Sequence, residues 1–309
     1  MRANMTEPDF GLLNQQAAVR TLEFGDVRVT YVIDGAMALR SAVFFPRIPA
    51  GYWSGHGDMV DAEGRVAMPA GGLLVERDGR FLLIDAGLGE IIADLKLGSA
   101  VLGPVNCGAL PDTLAALGRR PEDIEALAFT HLHVDHTGWA FVRDGNGGYR
   151  PYFPNARYLV AGKEWAPHER GETIPGGSSR TAVIEPLAEH QVPITDGEEI
   201  FPGVRALVTP GHSPGHTSYL ISSTEGTLIA FGDAFHIPAQ LAHPDWPSAP
   251  DIDVAAVLLA RRRLLDQLAK PDTVGFGTHF GDQPFGRLGP GGEWLPVASI
   301  ALFPPPRLV

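Results

Sequence analysis

The sequence has one cysteine, no long apolar run and comparatively little positive charge. Cys107 is the single cysteine among 309 residues, which excludes an internal disulfide. The apolar stretches fall far short of the ~18 residues of a membrane span, and the polar N-terminal residues lack the apolar core of a signal peptide. Lys and Arg number 24 against 36 Asp and Glu, which opposes binding to a phosphate backbone. We therefore expect a cytoplasmic protein with neither membrane nor nucleic-acid partners.

The rest of the composition is that of a folded chain with many loops. Hydrophobic residues make up 44% and charged residues 19%, while 37 Gly and 27 Pro indicate frequent turns. We expect a single domain over residues 1–309, with an N-terminal extension to about residue 69. Residues 44–69 are rich in Pro, Gly and aromatic side chains, which predicts a long ordered loop that serves either as a lid or as a homodimer contact.

Apolar patterns predict strands and helices in alternating blocks, and hence packed sheets with helices outside. The predicted strands are 27–34, 126–130, 156–161, 204–209 and 273–276, with hairpins over 71–87 and 219–231. The predicted helices are 111–117, 121–127 and 251–270, the last with Val254, Leu258, Leu265 and Leu268 on one side. Residues 1–20 are predicted to be a loose lead-in, and those from 286 onward an irregular tail.

Histidine and aspartate side chains cluster where these strands end. Three imidazoles and one carboxylate fall within six residues: His131, His133, Asp135 and His136. Side chains at i and i+2 of an extended segment share a face, so His131 and His133 can converge on one point. Further along the chain, apolar runs end at three more such residues: His212, Asp233 and His279. Imidazole nitrogen and carboxylate oxygen are ligands of Zn²⁺ and similar ions, and seven of them are too many for one tetrahedral ion.

This ordered set resembles the metallo-β-lactamase superfamily. The resemblance is carried by H131-x-H133-x-D135-H136, by TPGHSPGHT around His212, and by Asp233 and His279. It implies a four-layer αββα sandwich with a site for two divalent metal ions, for which we favour Zn²⁺ on ligand type. By this resemblance His131, His133 and His212 hold the first ion, Asp135, His136 and His279 hold the second, and Asp233 bridges both.

Two further polar residues are given supporting roles. His216 lies four residues after His212, and only the first of this pair matches the ligand pattern, so we interpret His216 as structural. Asp85 matches the superfamily's aspartate at the end of an upstream strand. We expect it either to orient a ligand imidazole or to belong to the core.

The reaction that the resemblance implies is hydrolysis by a hydroxide shared between the two ions. Asp135 is a candidate proton donor to the leaving group. The segment around Asp233 is similar to the quorum-quenching lactonase and methyl parathion hydrolase branch. The best-known N-acyl homoserine lactonases place a tyrosine three residues after the bridging aspartate, whereas this sequence has His236, which either donates a hydrogen bond to a substrate oxygen or orients another residue.

We therefore predict a metal-dependent hydrolase of lactones or related esters. The alternative is a hydrolase of organophosphate triesters or aryl esters, and a third hypothesis is a metal-binding sensor without enzymatic activity. The aromatic residues near the motifs are candidates for an apolar substrate pocket: Trp139, Phe235, Phe45 and Trp53.

Overall fold

The structure, a computed structural model, describes residues 7–305 and 307–308. The first six residues of the predicted lead-in therefore lie outside the described residues. The strands are β1 (Val19–Phe24), β2 (Val27–Arg40), β3 (Arg65–Ala67), β4 (Ala70–Arg77), β5 (Arg80–Ile84), β6 (Ile91–Leu97), β7 (Ala100–Cys107), β8 (Ala126–Ala128), β9 (Phe141–Arg143), β10 (Tyr149–Pro151), β11 (Arg157–Ala161), β12 (Gln191–Ile194), β13 (Glu199–Phe201), β14 (Val204–Val208), β15 (Thr217–Ser223), β16 (Gly226–Ala230), β17 (Thr273–Phe276), β18 (Phe285–Leu288), β19 (Trp294–Pro296) and β20 (Ile300–Phe303).

The helices are short except for the last. They are α1 (Ser41–Phe44), α2 (Ala50–Gly55), α3 (Leu110–Ala116), α4 (Val134–Thr137), α5 (Gly162–Glu169), α6 (Glu185–His190), α7 (Ala239–Ala242) and α8 (Val254–Leu268). Single turns of 3₁₀ helix lie at Pro121–Asp123 and Gly232–Ala234, and a π-helical turn at Arg180–Ile184 precedes α6. Among the described residues no helix combines the length and apolar character of a membrane-crossing segment.

Two large mixed sheets organise the strands. The first runs in the order β12-β11-β8-β5-β4-β2-β1-β20, with β3 and the β6–β7 hairpin paired to β2. The second runs β13-β14-β15-β16-β17-β18-β19. In the first sheet β8 is parallel to β5 and β11, and in the second β16 is parallel to β17. The ends of these parallel strands place several site residues at one edge of each sheet.

Period-two alternation sorts the strand residues between the layers. Leu73, Val75, Leu82 and Ile84 face the second sheet and share a core with its inward side chains, such as Ile221. Their immediate neighbours point the other way, onto α3, α5 and α6. Helix α8 covers the outer face of the second sheet. The layers are therefore helix, sheet, sheet and helix, which confirms the predicted αββα class.

Most predicted elements are present, whereas the predictions for the C-terminal tail, the 44–69 segment and the 121–127 helix are wrong. The tail after residue 286 is not irregular, because β18 and β19 extend the second sheet and β20 pairs with β1. The 44–69 segment is not a plain loop, since it contains α2 and β3. Of the predicted 121–127 helix, a single 3₁₀ turn forms before β8. The β6–β7 hairpin was not predicted.

The buried face of α8 also differs from the predicted one. Its buried side chains are Val257, Ala260, Arg261, Leu264 and Leu268. These positions follow the i, i+3, i+4, i+7 pattern; Leu268 is on both faces, but Val257 and Leu264 are buried in place of the predicted Leu258 and Leu265. The observed face brings the guanidinium of Arg261 inside the protein, and this has consequences for the site.

Candidate metal centre

The seven predicted ligand side chains meet at one place between the edges of the two sheets. The segment after β8 supplies His131 and His133, and α4 supplies Asp135 and His136. The other three follow strands of the second sheet: His212 after β14, Asp233 after β16 and His279 after β17. The side chains form two groups of potential metal ligands that share Asp233.

The first group surrounds the Nε2 atom of His212. This atom lies 3.2 Å from Nε2 of His131, 3.0 Å from Nδ1 of His133 and 3.3 Å from Oδ2 of Asp233. All four side chains are buried. Three imidazole nitrogens and one carboxylate oxygen thus converge on one point, as tetrahedral coordination of a divalent ion requires.

The second group uses the other oxygen of the same aspartate. Oδ1 of Asp233 lies 3.3 Å from Nε2 of His136 and 3.2 Å from Nε2 of His279. Both of these nitrogens are 3.6 Å from Oδ2 of Asp135. The two oxygens of Asp233 therefore face different groups, which is the arrangement of a carboxylate that bridges two ions.

Unsatisfied buried atoms show that these residues fit metal ions. Nε2 of His136, Nε2 of His279 and Oδ1 of Asp233 are buried and have no hydrogen-bond partner. Buried polar atoms are almost always hydrogen-bonded, so three unpaired polar atoms around one point need an explanation. A divalent cation would satisfy all three, and the two groups are therefore suited to a dinuclear metal site.

The second ring nitrogen of two of these histidines is held by an oxygen acceptor. Nδ1 of His136 lies 2.9 Å from Oδ2 of Asp85, and Nδ1 of His279 lies 3.0 Å from the carbonyl oxygen of Pro69. An N–H donated outward leaves the lone pair of Nε2 directed inward. Asp85 thus makes the contact expected of a residue that orients a ligand imidazole.

His212 is held by Asp251 and Arg261, which belong to the stretch similar to the lactonase branch but to which the sequence assigned no role at the site. Its Nδ1 lies 2.8 Å from Oδ1 of Asp251, while Arg261 contacts Oδ2 of the same aspartate at 3.2 Å. Arg261 also donates to the carbonyl oxygens of Ala234 and Trp246. Asp251 lies just before α8, where an acidic residue is ordinary for a helix start, so its contact with His212 could not be predicted from its position in the sequence.

His216 does not point its nitrogens into either group. Its Nδ1 lies 2.9 Å from Oγ1 of Thr209, and its Nε2 accepts a hydrogen bond from the backbone N–H of Asp233 at 3.0 Å. Gly232 has a φ of +53°, and a Cβ there would lie 2.7 Å from Nε2 of His216. His216 therefore fixes the backbone that carries Asp233, in agreement with a structural role.

Burial and charge set the ionisation of the site in the metal-free protein. Burial lowers the pKa of His133 to about 3, so its imidazole is neutral and able to donate a lone pair. Burial opposes the charged form of His136 as well, but the carboxylates of Asp233, Asp135 and Asp85 raise its pKa well above the ordinary value. Metal binding at the second group must therefore displace a proton.

A largely apolar cavity opens beside the two groups. Asp135, His236 and His279 line it on the polar side, and its apolar walls include Met37, Leu39, Phe44, Met68, Leu95 and Leu102. The ring of His236 is buried, with Nε2 3.1 Å from Oδ2 of Asp233, and neither of its nitrogens has a hydrogen-bond partner. The structure thus places His236 between the bridging carboxylate and the cavity.

The four aromatic residues predicted for the pocket are not among the residues that line this cavity, where Phe44 contributes the aromatic wall. Trp139 donates from Nε1 to Asp34 and packs in the helix layer. Phe235 packs under α8, and Phe45 and Trp53 pack against each other behind Phe44. Closeness in sequence to a ligand does not fix the direction of a ring, and these rings turn toward the core instead.

Comparison with known proteins defines the class. The metallo-β-lactamase superfamily model matches residues 72–279, and the chain belongs to this superfamily. Together with the lactonase relatives below, this membership identifies the protein as a metal-dependent hydrolase.

Two relatives are N-acyl homoserine lactonases. The enzyme of Bacillus thuringiensis is 29% identical over 222 residues, which cover 69% of this chain and 81% of that protein. The enzyme of Bacillus cereus is 34% identical over 117 residues, but this alignment spans only 38% of this chain and 40% of that protein.

A solved structure has the same fold. AidC, a dizinc quorum-quenching lactonase in complex with a product, N-hexanoyl-L-homoserine, matches with a TM-score of 0.74 at 22% identity. The match covers 92% of this chain and 99% of AidC, so almost the whole described architecture is shared.

Proposed function

We propose that this protein opens lactones by metal-dependent hydrolysis, with Zn²⁺ as the metal. The observation that carries the proposal is the pair of ligand groups sharing Asp233 and opening onto an apolar cavity. The similarity to lactonases along 81% of one relative supports the choice of substrate, and the dizinc centre of AidC supports the metal.

Each ligand group would hold one ion. His131, His133 and His212 would bind the first, Asp135, His136 and His279 the second, and Asp233 both. Two such ions lower the pKa of a bound water and polarise a carbonyl oxygen, which is the chemistry that ester hydrolysis needs. Five imidazoles among seven ligands favour zinc over harder, oxygen-preferring cations.

The remaining chemistry falls to two side chains on the cavity wall. Asp135 is partly exposed, with 20% of its side chain accessible, and would pass a proton to the alkoxide that leaves when the ring opens. His236 has ring nitrogens free of hydrogen bonds within the protein, and one N–H would donate to a substrate oxygen.

The test of His236 is His236→Phe, which keeps an aromatic ring but removes both nitrogens. We expect metal content to stay at the unmodified level while kcat/KM for the lactone falls by about tenfold or more. Steady-state kinetics and metal analysis on the same preparation check this. Kinetic constants equal to those of the unmodified protein would remove His236 from the reaction.

The decisive experiment is a substrate panel on zinc-loaded protein. N-acyl homoserine lactones of increasing acyl length, a simple aryl ester and a p-nitrophenyl phosphotriester should be compared by kcat/KM. We expect the lactones to be the best substrates, with kcat/KM rising with acyl length because the chain buries apolar area. Efficient turnover of the phosphotriester without lactone opening would support the alternative reaction instead, and no turnover at all would point to a sensor.

A further inference from the structure

Glu164 is a buried carboxylate that joins the two chain segments carrying the first ligand group. It lies in α5 and is 2% exposed. One oxygen accepts a hydrogen bond from the N–H of Leu132 at 3.0 Å, and the other accepts from Oγ of Ser213 at 2.7 Å and from the N–H of Gly215 at 2.8 Å. Leu132 stands between His131 and His133, and Ser213 follows His212.

The packing around this carboxylate is too close to allow an alternative arrangement. A Cβ on Gly215 would lie 2.0 Å from the backbone nitrogen of Glu164, so only glycine lets the His212 segment approach the start of α5 this closely. The carboxylate therefore satisfies three donors from two different segments. The relative position of these segments depends on it.

We infer that Glu164 is a positioning residue that sets the affinity of the first ligand group without serving as a ligand. The inference rests on the proposed function, because it requires that the protein binds two ions. Glu164 holds Leu132 against Ser213, and so keeps Nε2 of His131 and Nδ1 of His133 at 3.2 and 3.0 Å from Nε2 of His212.

The second ligand group is anchored by other residues. His136 is held at its ring by Asp85 and at its carbonyl oxygen by the N–H of Ala86, and His279 is held by Pro69. None of these contacts involves α5. Loss of the Glu164 carboxylate should therefore lower the affinity for one ion only, whereas a general loss of structure would lower the affinity for both.

The test is Glu164→Gln, which preserves shape but turns one acceptor into a donor facing an N–H. We expect the affinity for one of two Zn²⁺ ions to fall by about tenfold or more while the other stays within about threefold. Competition titration of the metal-free protein against a chromophoric chelator gives both constants. Glu169→Gln is the matched control, since Glu169 is exposed on the same helix and should leave both constants unchanged.

Two further variants make the outcome unambiguous. In a His279→Ala background, which lacks a ligand of the second group, Glu164→Gln should lower the remaining affinity. Ser213→Ala removes only one of the three hydrogen bonds, so it should lower the affinity for the same ion by a smaller factor. This variant tests the inference even if Glu164→Gln does not fold.

Three results would count against the two ideas separately. An unmodified protein that binds fewer than two ions would overturn the proposed function. Two ions with constants unaffected by Glu164→Gln and Ser213→Ala would overturn the role of Glu164 alone. Two constants that fall together would show that Glu164 serves the fold as a whole, and the inference would be wrong.

Discussion

At the scale of single residues, the site depends on side chains that each serve two partners. Asp233 presents one oxygen to each ligand group, and Asp251 presents one oxygen to His212 and the other to Arg261. A residue shared in this way cannot be replaced without affecting both partners. Substitutions at such positions are therefore the most informative.

Asp233→Ala should remove metal and activity together. The substitution deletes an oxygen ligand from both groups, so we expect metal content to fall from about two ions per chain toward zero and lactone hydrolysis to fall by at least about a thousandfold. Metal analysis after dialysis, with kinetics on the same sample, measures both. Asp266→Ala removes an exposed carboxylate on α8 and should change neither. Full metal content in the Asp233 variant would contradict the bridging role.

His216→Ala should act on stability rather than on metal content. The variant leaves the buried N–H of Asp233 without its acceptor, which costs about 1–3 kcal/mol. Chemical denaturation should report this loss, while metal analysis should still give about two ions per chain. If metal is lost and stability is unchanged, His216 acts as a ligand and its structural role is wrong.

At the scale of elements, the sequence pattern predicts that helix α8 exists but not which of its faces is buried. Its existence and approximate ends follow from its apolar residues and flanking acidic and Pro residues, but its buried face follows from packing against the second sheet. Arg261 lies on that face because Asp251 and three backbone carbonyls receive its guanidinium. The orientation of α8 thus depends on partners of Arg261 that lie outside the helix, and the pattern of residues within the helix does not reveal them.

Leu264→Ala on α8 should destabilise the protein by about 2–5 kcal/mol, because this side chain is fully buried between the helix and the second sheet. Leu259→Ala on the same helix removes a side chain that is 67% exposed and should change stability by less than about 0.5 kcal/mol. Denaturant unfolding of both variants compares them directly. Equal effects would show that the buried face of α8 is assigned wrongly.

The strands of the C-terminal tail, in contrast, could not be predicted from the local sequence. β18, β19 and β20 lie among Gly and Pro residues and have weak alternation, so the sequence predicted an irregular tail. They form because earlier strands offer unpaired edges: β17 accepts β18, and β1 accepts β20. Pairing with a distant partner, rather than local propensity, determines these strands.

At the scale of the whole molecule, the ligand groups connect the two sheets. One segment after β8 of the first sheet supplies four ligands, and three strands of the second sheet supply the rest. The sequence could predict that these seven side chains come together because each is a chemically distinctive residue that follows an apolar run. It could not predict the cavity wall, because apolar side chains look alike in sequence wherever they point.

Removal of metal should lower the melting temperature, because ions bound only by the folded state stabilise it. We expect a fall of about 5 °C or more on chelation, reversed by added Zn²⁺. Differential scanning calorimetry with and without chelator measures the shift. Asp233→Ala provides the control, since a protein that has already lost its metal should not respond. An unmodified protein whose melting temperature is the same with chelator would show that the ions contribute nothing to the fold.

The carbonyl of Pro69 ties one part of the cavity wall to His279, whereas another part of the wall comes from a hairpin that carries none of the candidate ligands. Met68 lines the cavity next to the residue that holds His279, and Tyr31 anchors the same carbonyl. The β6–β7 hairpin contributes Leu95 and Leu102 and holds none of the seven ligands. Substitutions in that hairpin should therefore reshape the cavity and leave the seven candidate ligands in place, whereas substitutions at Met68 would disturb the segment that holds His279.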